Sequence, residues 1–422
     1  MDRLVNYLMN VDEKKIIYRA SFWNMIASVL NSITSAVLLF FITRFCGLNA
    51  AGIFSIASAI GYQCLSLGNF GARSFHAADV KKDYSFSDYL YIRVFSYSLL
   101  LIMLCYYAFC SGYTLDKSLA VLSFGLFKSV DVIEDLYHGE YHRNNRLDIG
   151  AFLLTLRYFL SILVFIILIC ITRDITISSI LTFVITLVFF IITNKDFIKI
   201  FSSEKLCFRR TKFISLLIIL VPIVITNYIK LYITNAPKYA IDSCLGNVEQ
   251  AYFNVLFMPV FIISLLSDII FRPFIPRFSR EWINQDYDKF LKMMGRQLAI
   301  ILGITFVIMT GGYLLGLTLL EMIYGVQLHE YMGTFMLLLA GGGINTYCSF
   351  MILVMTIQRE QNKMAVVNIL SFILCLLISN PLVKTFGLNG AMMIFVALNL
   401  FPAILFTVIV VRKMIQVKNN RE

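Results

Sequence analysis

Residues 230–259 read KLYITNAPKYAIDSCLGNVEQAYFNVLFMP. An apolar run, 213–229, leads into this stretch and a second, 251–267, leads out of it. Between them stand Lys230, Asn235, Lys238 and Asp242. Polar side chains this close to hydrocarbon are costly and usually face a protein interior or a watery cavity. Pro237 lacks an N–H and restricts the residue before it, so the first helix is expected to stop there. The stretch reads as a hairpin between two membrane helices whose polar groups line a cavity. An ordinary connection between two such helices is the competing reading.

The rest of the chain supports the membrane reading. Of 422 residues, 59% are hydrophobic and only 14% are charged, and the apolar residues come in long uncharged runs. A run of about 18 or more is long enough to cross a bilayer as a helix. Spans are predicted at 20–43, 50–72, 90–112, 118–138, 149–172, 175–194, 212–234, 250–271, 295–320, 331–356, 363–383 and 387–411, which makes twelve. No water satisfies backbone groups inside lipid, so the fold class is all-α, a polytopic helix bundle.

The net charge of +11 would point to nucleic acid in a soluble protein. Here the basic residues gather at the ends of apolar runs, so they report topology and no nucleic-acid partner is expected. On alternate sides, 29 of the 36 lysines and arginines fall with both termini and six fall opposite, which places both termini in the cytoplasm. The outer connections are too short for an extracytoplasmic catalytic domain, and no HExxH, GxSxG, Walker or Rossmann pattern occurs. No enzyme is therefore expected. The nine cysteines are scattered without CxxC spacing and read as packing residues, not as disulfides or a metal site. Gly341-Gly342-Gly343 reads as a point of close helix packing or flexibility.

An internal repeat relates the two halves. Gly47-Leu48-Asn49-Ala50-Ala51-Gly52-Ile53-Phe54 joins spans one and two, and Gly246-Asn247-Val248-Glu249-Gln250-Ala251-Tyr252-Phe253 joins spans seven and eight, 199 residues on. The same offset lays Ser28, Asn31 and Ser35 on Asn227, Lys230 and Thr234, a polar stripe at helical spacing in both helices. A third copy, Gly387-Leu388-Asn389-Gly390-Ala391, joins spans eleven and twelve. Parallel repeats are a known transporter plan with the site between the halves, whereas such stripes elsewhere merely glue helices together.

Span four is the most polar. Lys128, Asp131, Asp135, His138 and His142 share one helical face. Lys128 and Asp131 can form an intrahelical ion pair and read as a cavity wall, gate or coupling site. Asp135, His138 and His142 read as the helix end emerging into the cytoplasm. Arg44 and Lys238, at outer helix ends, run against the inside-positive bias and so serve something anionic. Asp268 and Arg272, before Pro273, read as an inner gate pair or as routine interface charges.

The stretches Arg44–Phe54 and Asn235–Ile241, with Met258-Pro259 and Phe271-Arg272-Pro273, resemble the polysaccharide transporter family. These are Wzx-type flippases of O-antigen and capsular repeat units, within the multidrug/oligosaccharidyl-lipid/polysaccharide exporter superfamily. The resemblance implies two six-helix lobes, 1–200 and 201–422, around a central cavity that works by alternating access. It implies a bacterial inner-membrane location and a lipid-linked oligosaccharide substrate, polyprenyl diphosphate carrying a short sugar chain. A coupling ion, Na+ or H+, would be the only added component, with no cofactor. Membrane lipids, a polysaccharide polymerase and glycosyltransferases are the expected partners. Lys230, Lys238 and Arg44 would bind the diphosphate by charge-assisted hydrogen bonds, with Asn31 and Asn235 for sugar hydroxyls and Asn227 lining the same cavity. Lys128, Asp131, Asp242, Asp268 and Arg272 would couple or gate. A multidrug exporter of the same superfamily and a membrane polymerase or ligase are the alternatives.

Overall fold

The computed structural model describes residues 13–79, 82–201, 206–271 and 275–419. Every regular element among them is helical. The helices are α1 (Glu13–Asn69), α2 (Ala72–Ala78), α3 (Phe86–Cys110), α4 (Leu115–Arg143), α5 (Leu147–Thr172), α6 (Ile175–Phe201), α7 (Arg210–Cys244), α8 (Asn247–Phe271), α9 (Ile275–Ile283), α10 (Tyr287–Gly311), α11 (Leu317–Tyr324), α12 (Met332–Ile357) and α13 (Gln361–Asn419). A π turn, Gly312–Gly316, joins α10 to α11.

Eight stretches among the described residues are long and apolar enough to cross a membrane. Two of them, containing α1 and α13, greatly exceed the ~20 residues a bilayer requires. Each is a hairpin that turns at a glycine of the repeat. Gly47 has φ 85° and ψ 177°, and Gly387 has φ 58° and ψ −135°, backbone conformations that a Cβ would strain. Side-chain contacts prove the reversals. Ser35 Oγ lies 3.0 Å from Tyr62 Oη, although a straight helix would part them by about 40 Å. Glu360, just before α13, lies 2.9 Å from both Lys363 and Lys413, at opposite ends of that helix. Gly390 fits the second reversal because a Cβ there would meet the Leu382 carbonyl oxygen at 2.0 Å. The remaining copy, at Gly246, breaks the chain between α7 and α8, with the Gly246 N–H donating to Glu249 Oε2 at 3.1 Å. With each hairpin counted twice, and α4 and α8 added, the chain is a multi-pass membrane protein of about twelve crossings.

One expectation fails. Pro237 does not end its helix, because α7 continues through it to Cys244. A proline costs a helix one backbone donor, whereas a broken helix would strand several groups beside hydrocarbon. Asn235, Lys238 and Asp242 therefore occupy successive turns of a helix, at i, i+3 and i+7, not a loop.

The chain divides into two compact units, Met1–Leu231 and Tyr232–Glu422. In the first, α1 packs on α3, α4 and α5, and Phe70, Tyr89, Ile92, Leu136, Leu216 and Leu220 belong to one hydrophobic core. In the second, α12 packs against α8, α10 and α13. Its three consecutive glycines each admit a different neighbour. A Cβ at Gly341 would meet Phe395 at 3.0 Å, one at Gly342 Ile263 at 2.9 Å, and one at Gly343 Thr305 at 2.6 Å. The short helix α9 buries Phe278 edge-on against Phe290, with ring centroids 5.5 Å apart.

Candidate functional site

The charged face of α4 becomes one wall of a polar cavity within the unit Met1–Leu231. The cavity measures about 360 Å³, and its lining includes Asn31, Tyr62, Asn69, Arg73, Asp131, Glu134, Asp135, His138 and Tyr158. Lys128 lies behind this wall, 2% exposed, with Nζ 3.7 Å from Asp131 Oδ2 and 5.5 Å from the Tyr62 ring centre.

Most of the cationic partners come from other helices. Arg157 of α5, 1% exposed, places Nη2 2.5 Å from Asp131 Oδ1 and Nε 2.5 Å from Glu134 Oε2. Arg93 of α3 donates Nη2 to Asp135 Oδ2 at 2.7 Å and Nη1 to the Gly68 carbonyl at 2.7 Å. Arg73 of α2 stands 3.9 Å from Asp135 Oδ1 and is 37% exposed, so it is the loosely held cation of the group. Taking charges out of water is expensive, and these groups are tolerable because nearly every one has an opposite charge at contact.

One lining residue has an unsatisfied polar atom. The Oδ1 of Asn69 is buried without a hydrogen bond among the described residues. Buried polar atoms are nearly always satisfied, so an atom like this on a cavity wall calls for water or a ligand. His138 is only 2% exposed, which overturns its reading as part of an emerging helix end. The end of α4 is instead covered: Gly139 packs on His76 of α2 and Gly150 of α5 on the His138 ring. Only His142 of the three is exposed, while Asp135 lines the cavity.

A second ionic cluster lies past the cavity. Glu140 Oε2 is 2.9 Å from His76 Nε2 and 2.7 Å from Arg143 Nη2, and Arg143 also donates to the Tyr84 carbonyl at 2.8 Å. It pins the connection between α2 and α3 to the end of α4.

The expected site residues are thus dispersed. Asn31 and Asp131 share the cavity, with Lys128 directly behind. Arg44 is exposed near the turn of α1, and Asn227 and Lys230 are exposed on α7. Within the unit Tyr232–Glu422, Asn235 is 8% exposed and Lys238 and Asp242 are half-buried on the same helix. Arg272 and the side chain of Asp268 lie outside the described residues. Sequence reasoning missed Arg73, Arg93, Glu134 and Arg157. Arg93 and Arg157 fall among the 29 basic residues that the charge bias places with the termini. Both belong to the buried network. Their position inside predicted spans was the available signal.

No family model and no curated protein sequence matches the chain. Solved structures do. The fold is similar to the lipid II flippase MurJ in an inward closed conformation, with TM-score 0.65 and 13% identity over 94% of this chain and 90% of that one. It is similar to an inward-facing multidrug resistance MATE family transporter of the MOP superfamily, with TM-score 0.60 and 14% identity over 95% and 96%. It also matches a MOP superfamily transporter from Pyrococcus furiosus, described as having a binding pocket of reverse polarity, with TM-score 0.56 and 14% identity over 97% and 98%. The chain has the fold of membrane transporters, shared by MATE exporters and the MurJ flippase.

Proposed function

We propose that the protein is a flippase of the Wzx type, which moves polyprenyl-diphosphate-linked saccharide from the cytoplasmic to the outer leaflet by alternating access for surface polysaccharide synthesis. The observation that carries this reading is that each carboxylate of the cavity wall already holds a basic side chain: Asp131 has Lys128 and Arg157, Glu134 has Arg157, and Asp135 has Arg93 and Arg73. A cationic drug would have to displace a guanidinium to reach a carboxylate, which disfavours the multidrug alternative. An anionic headgroup meets the opposite situation. Arg73 is partly exposed and weakly held, and a planar guanidinium pairs two phosphate oxygens at once. In this proposal Arg73 joins Arg44, Lys230 and Lys238 as a phosphate-binding cation, and Asn31, Asn227 and Asn235 take sugar hydroxyls. The lobes 1–200 and 201–422, the cytoplasmic termini and the gating roles of Asp242, Asp268 and Arg272 belong to the same proposal.

The test is deletion of the gene in its native host. Loss of surface polysaccharide, with lipid-linked saccharide accumulating on the cytoplasmic face, is the expected result. Unchanged polysaccharide together with raised sensitivity to cationic dyes would favour a drug exporter instead.

A further inference from the structure

A second, smaller cavity of about 200 Å³ lies within the unit Tyr232–Glu422, between α7 and the first limb of α13. On the α7 side, Tyr232, Ala236, Tyr239 and Ser243 recur at i, i+4, i+7 and i+11 and form one helical face. The smallness of Ala236, 2% exposed, leaves the hollow. The tyrosines flank it with ring centroids 5.1 Å apart, and Phe372 backs Tyr232 edge-on at 5.4 Å, so the aromatic wall is braced. Facing it, Ser379 and Asn380 supply a hydroxyl and an amide. Asn380 Oδ1 accepts from the Ser243 hydroxyl at 3.2 Å. An amide has two donors and two acceptor sites, so this contact engages only part of it.

None of the residues lining this cavity is charged. A phosphate would require a cation, a cationic drug a carboxylate, and a lipid chain a wall without amides. Aromatic faces rimmed by hydroxyls and an amide fit a ligand with an apolar C–H face and a polar edge, which is a pyranose ring. We infer that this cavity is a subsite for one neutral sugar of the cargo. This inference rests on the reading of the cargo as a lipid-linked saccharide and assigns it a second set of contacts, separate from those of the diphosphate. By the charge count, the cavity lies toward the outer ends of its helices, so it engages the sugar on the outward side.

Saturation-transfer NMR on the purified full-length protein tests the subsite, with glucose, N-acetylglucosamine, rhamnose and glucuronate as separate probes, and 31P line broadening of inorganic pyrophosphate reports the headgroup. At least one neutral sugar should receive transfer, and glucuronate should receive none. Asn380→Ala and Ser243→Ala should each weaken sugar binding about 3–10-fold, the effect of one lost neutral hydrogen bond, and leave the pyrophosphate signal unchanged. Tyr239→Ala should remove it, while Tyr239→Phe, which keeps the ring, should retain most of it. Transfer to none of the neutral sugars, or a sugar affinity unchanged in both Asn380→Ala and Ser243→Ala, overturns the subsite. Failure of the flippase reading looks different: the deletion strain itself keeps its surface polysaccharide and accumulates no lipid-linked saccharide.

Discussion

The guanidinium of Arg157 lies 2.5 Å from the carboxylate of Glu134, and both side chains are almost entirely withdrawn from solvent. The same guanidinium reaches Asp131 on the next turn of α4, so one residue of α5 holds two turns of its neighbour. Removing one member of such a pair strands the other charge, at about 3–5 kcal/mol. Arg157→Ala is therefore expected to lower the thermal stability of the purified protein sharply. Arg157→Ala combined with Glu134→Gln should recover part of the loss. Fluorescence-detected gel filtration after heating reads both, and equal stability of the single and double variants would refute the pairing.

Lys128 and Asp131 should be unequal partners. Without Lys128, Asp131 keeps Arg157; without Asp131, Lys128 keeps only aromatic rings among the described residues. Asp131→Ala is thus expected to be the more damaging change. The Lys128→Met, Asp131→Ala double variant should fall short of the sum of the singles by roughly 0.5–3 kcal/mol, the range for residues in contact. Strict additivity in melting measurements would show that the two do not interact.

Lys230 and Lys238 test the cationic character of the transport path. Lys→Gln at either position should abolish most surface polysaccharide at normal membrane-protein level, and Lys→Arg should keep part of it. If Lys238 only pairs with Asp242, one helical turn further on, its Lys→Gln variant will instead lower the protein level, and a charge swap will restore it. Normal polysaccharide in both Lys→Gln strains would dismiss a phosphate role for these lysines.

Glu360 lies outside the spans and joins the two ends of α13. Hydrogen bonds from Lys363 and Lys413 hold its carboxyl below the ordinary glutamate value. A depressed carboxyl stabilises the fold at pH above its unfolded value, about 4.3, and that contribution disappears as the pH falls through the lower folded value. Acidification through pH 4 should therefore narrow the stability gap between wild type and Glu360→Gln. The gap at pH 7 should be no more than about 1 kcal/mol and should shrink in high salt, because both lysines are partly exposed. A gap independent of both pH and salt would mean that the contact is not ionic.

Two glycines separate backbone geometry from simple helix propensity. Gly390→Ala would drive a methyl group into the Leu382 carbonyl, whereas Gly303 has nothing within 4 Å of where its Cβ would stand. Gly390→Ala should lower the melting temperature, and Gly303→Ala should leave it equal or raise it, since alanine in a helix interior is favoured over glycine by up to about 1 kcal/mol.

What the amino-acid string made legible follows from local physics. Apolar run length located the crossings, the repeated Gly-Leu-Asn marked both hairpin turns, and the i, i+3 spacing of Lys128 and Asp131 brought that pair together. Arg93 and Arg157 escaped because their partners lie 42 and 26 positions away on other helices, and no periodicity reports which helix faces which. The same gap misplaced His138, since burial of the end of α4 depends on Gly139 and Gly150 letting α2 and α5 approach. At Pro237 local propensity gave the wrong answer, because in lipid the alternative to a strained helix is worse.

The shared grip of Arg157 also limits how this protein can drift over generations. Glu134 and Asp131 both lean on it, so a lineage that loses Arg157 first inherits an uncompensated Glu134 and an Asp131 held by Lys128 alone. A lineage that first neutralises Glu134 still leaves Arg157 a partner in Asp131 and crosses a shallower valley. Among descendants the three positions should change together or not at all, with neutral residues arising at 134 before 157. The same order is the safer one in which to introduce substitutions when redesigning the cavity.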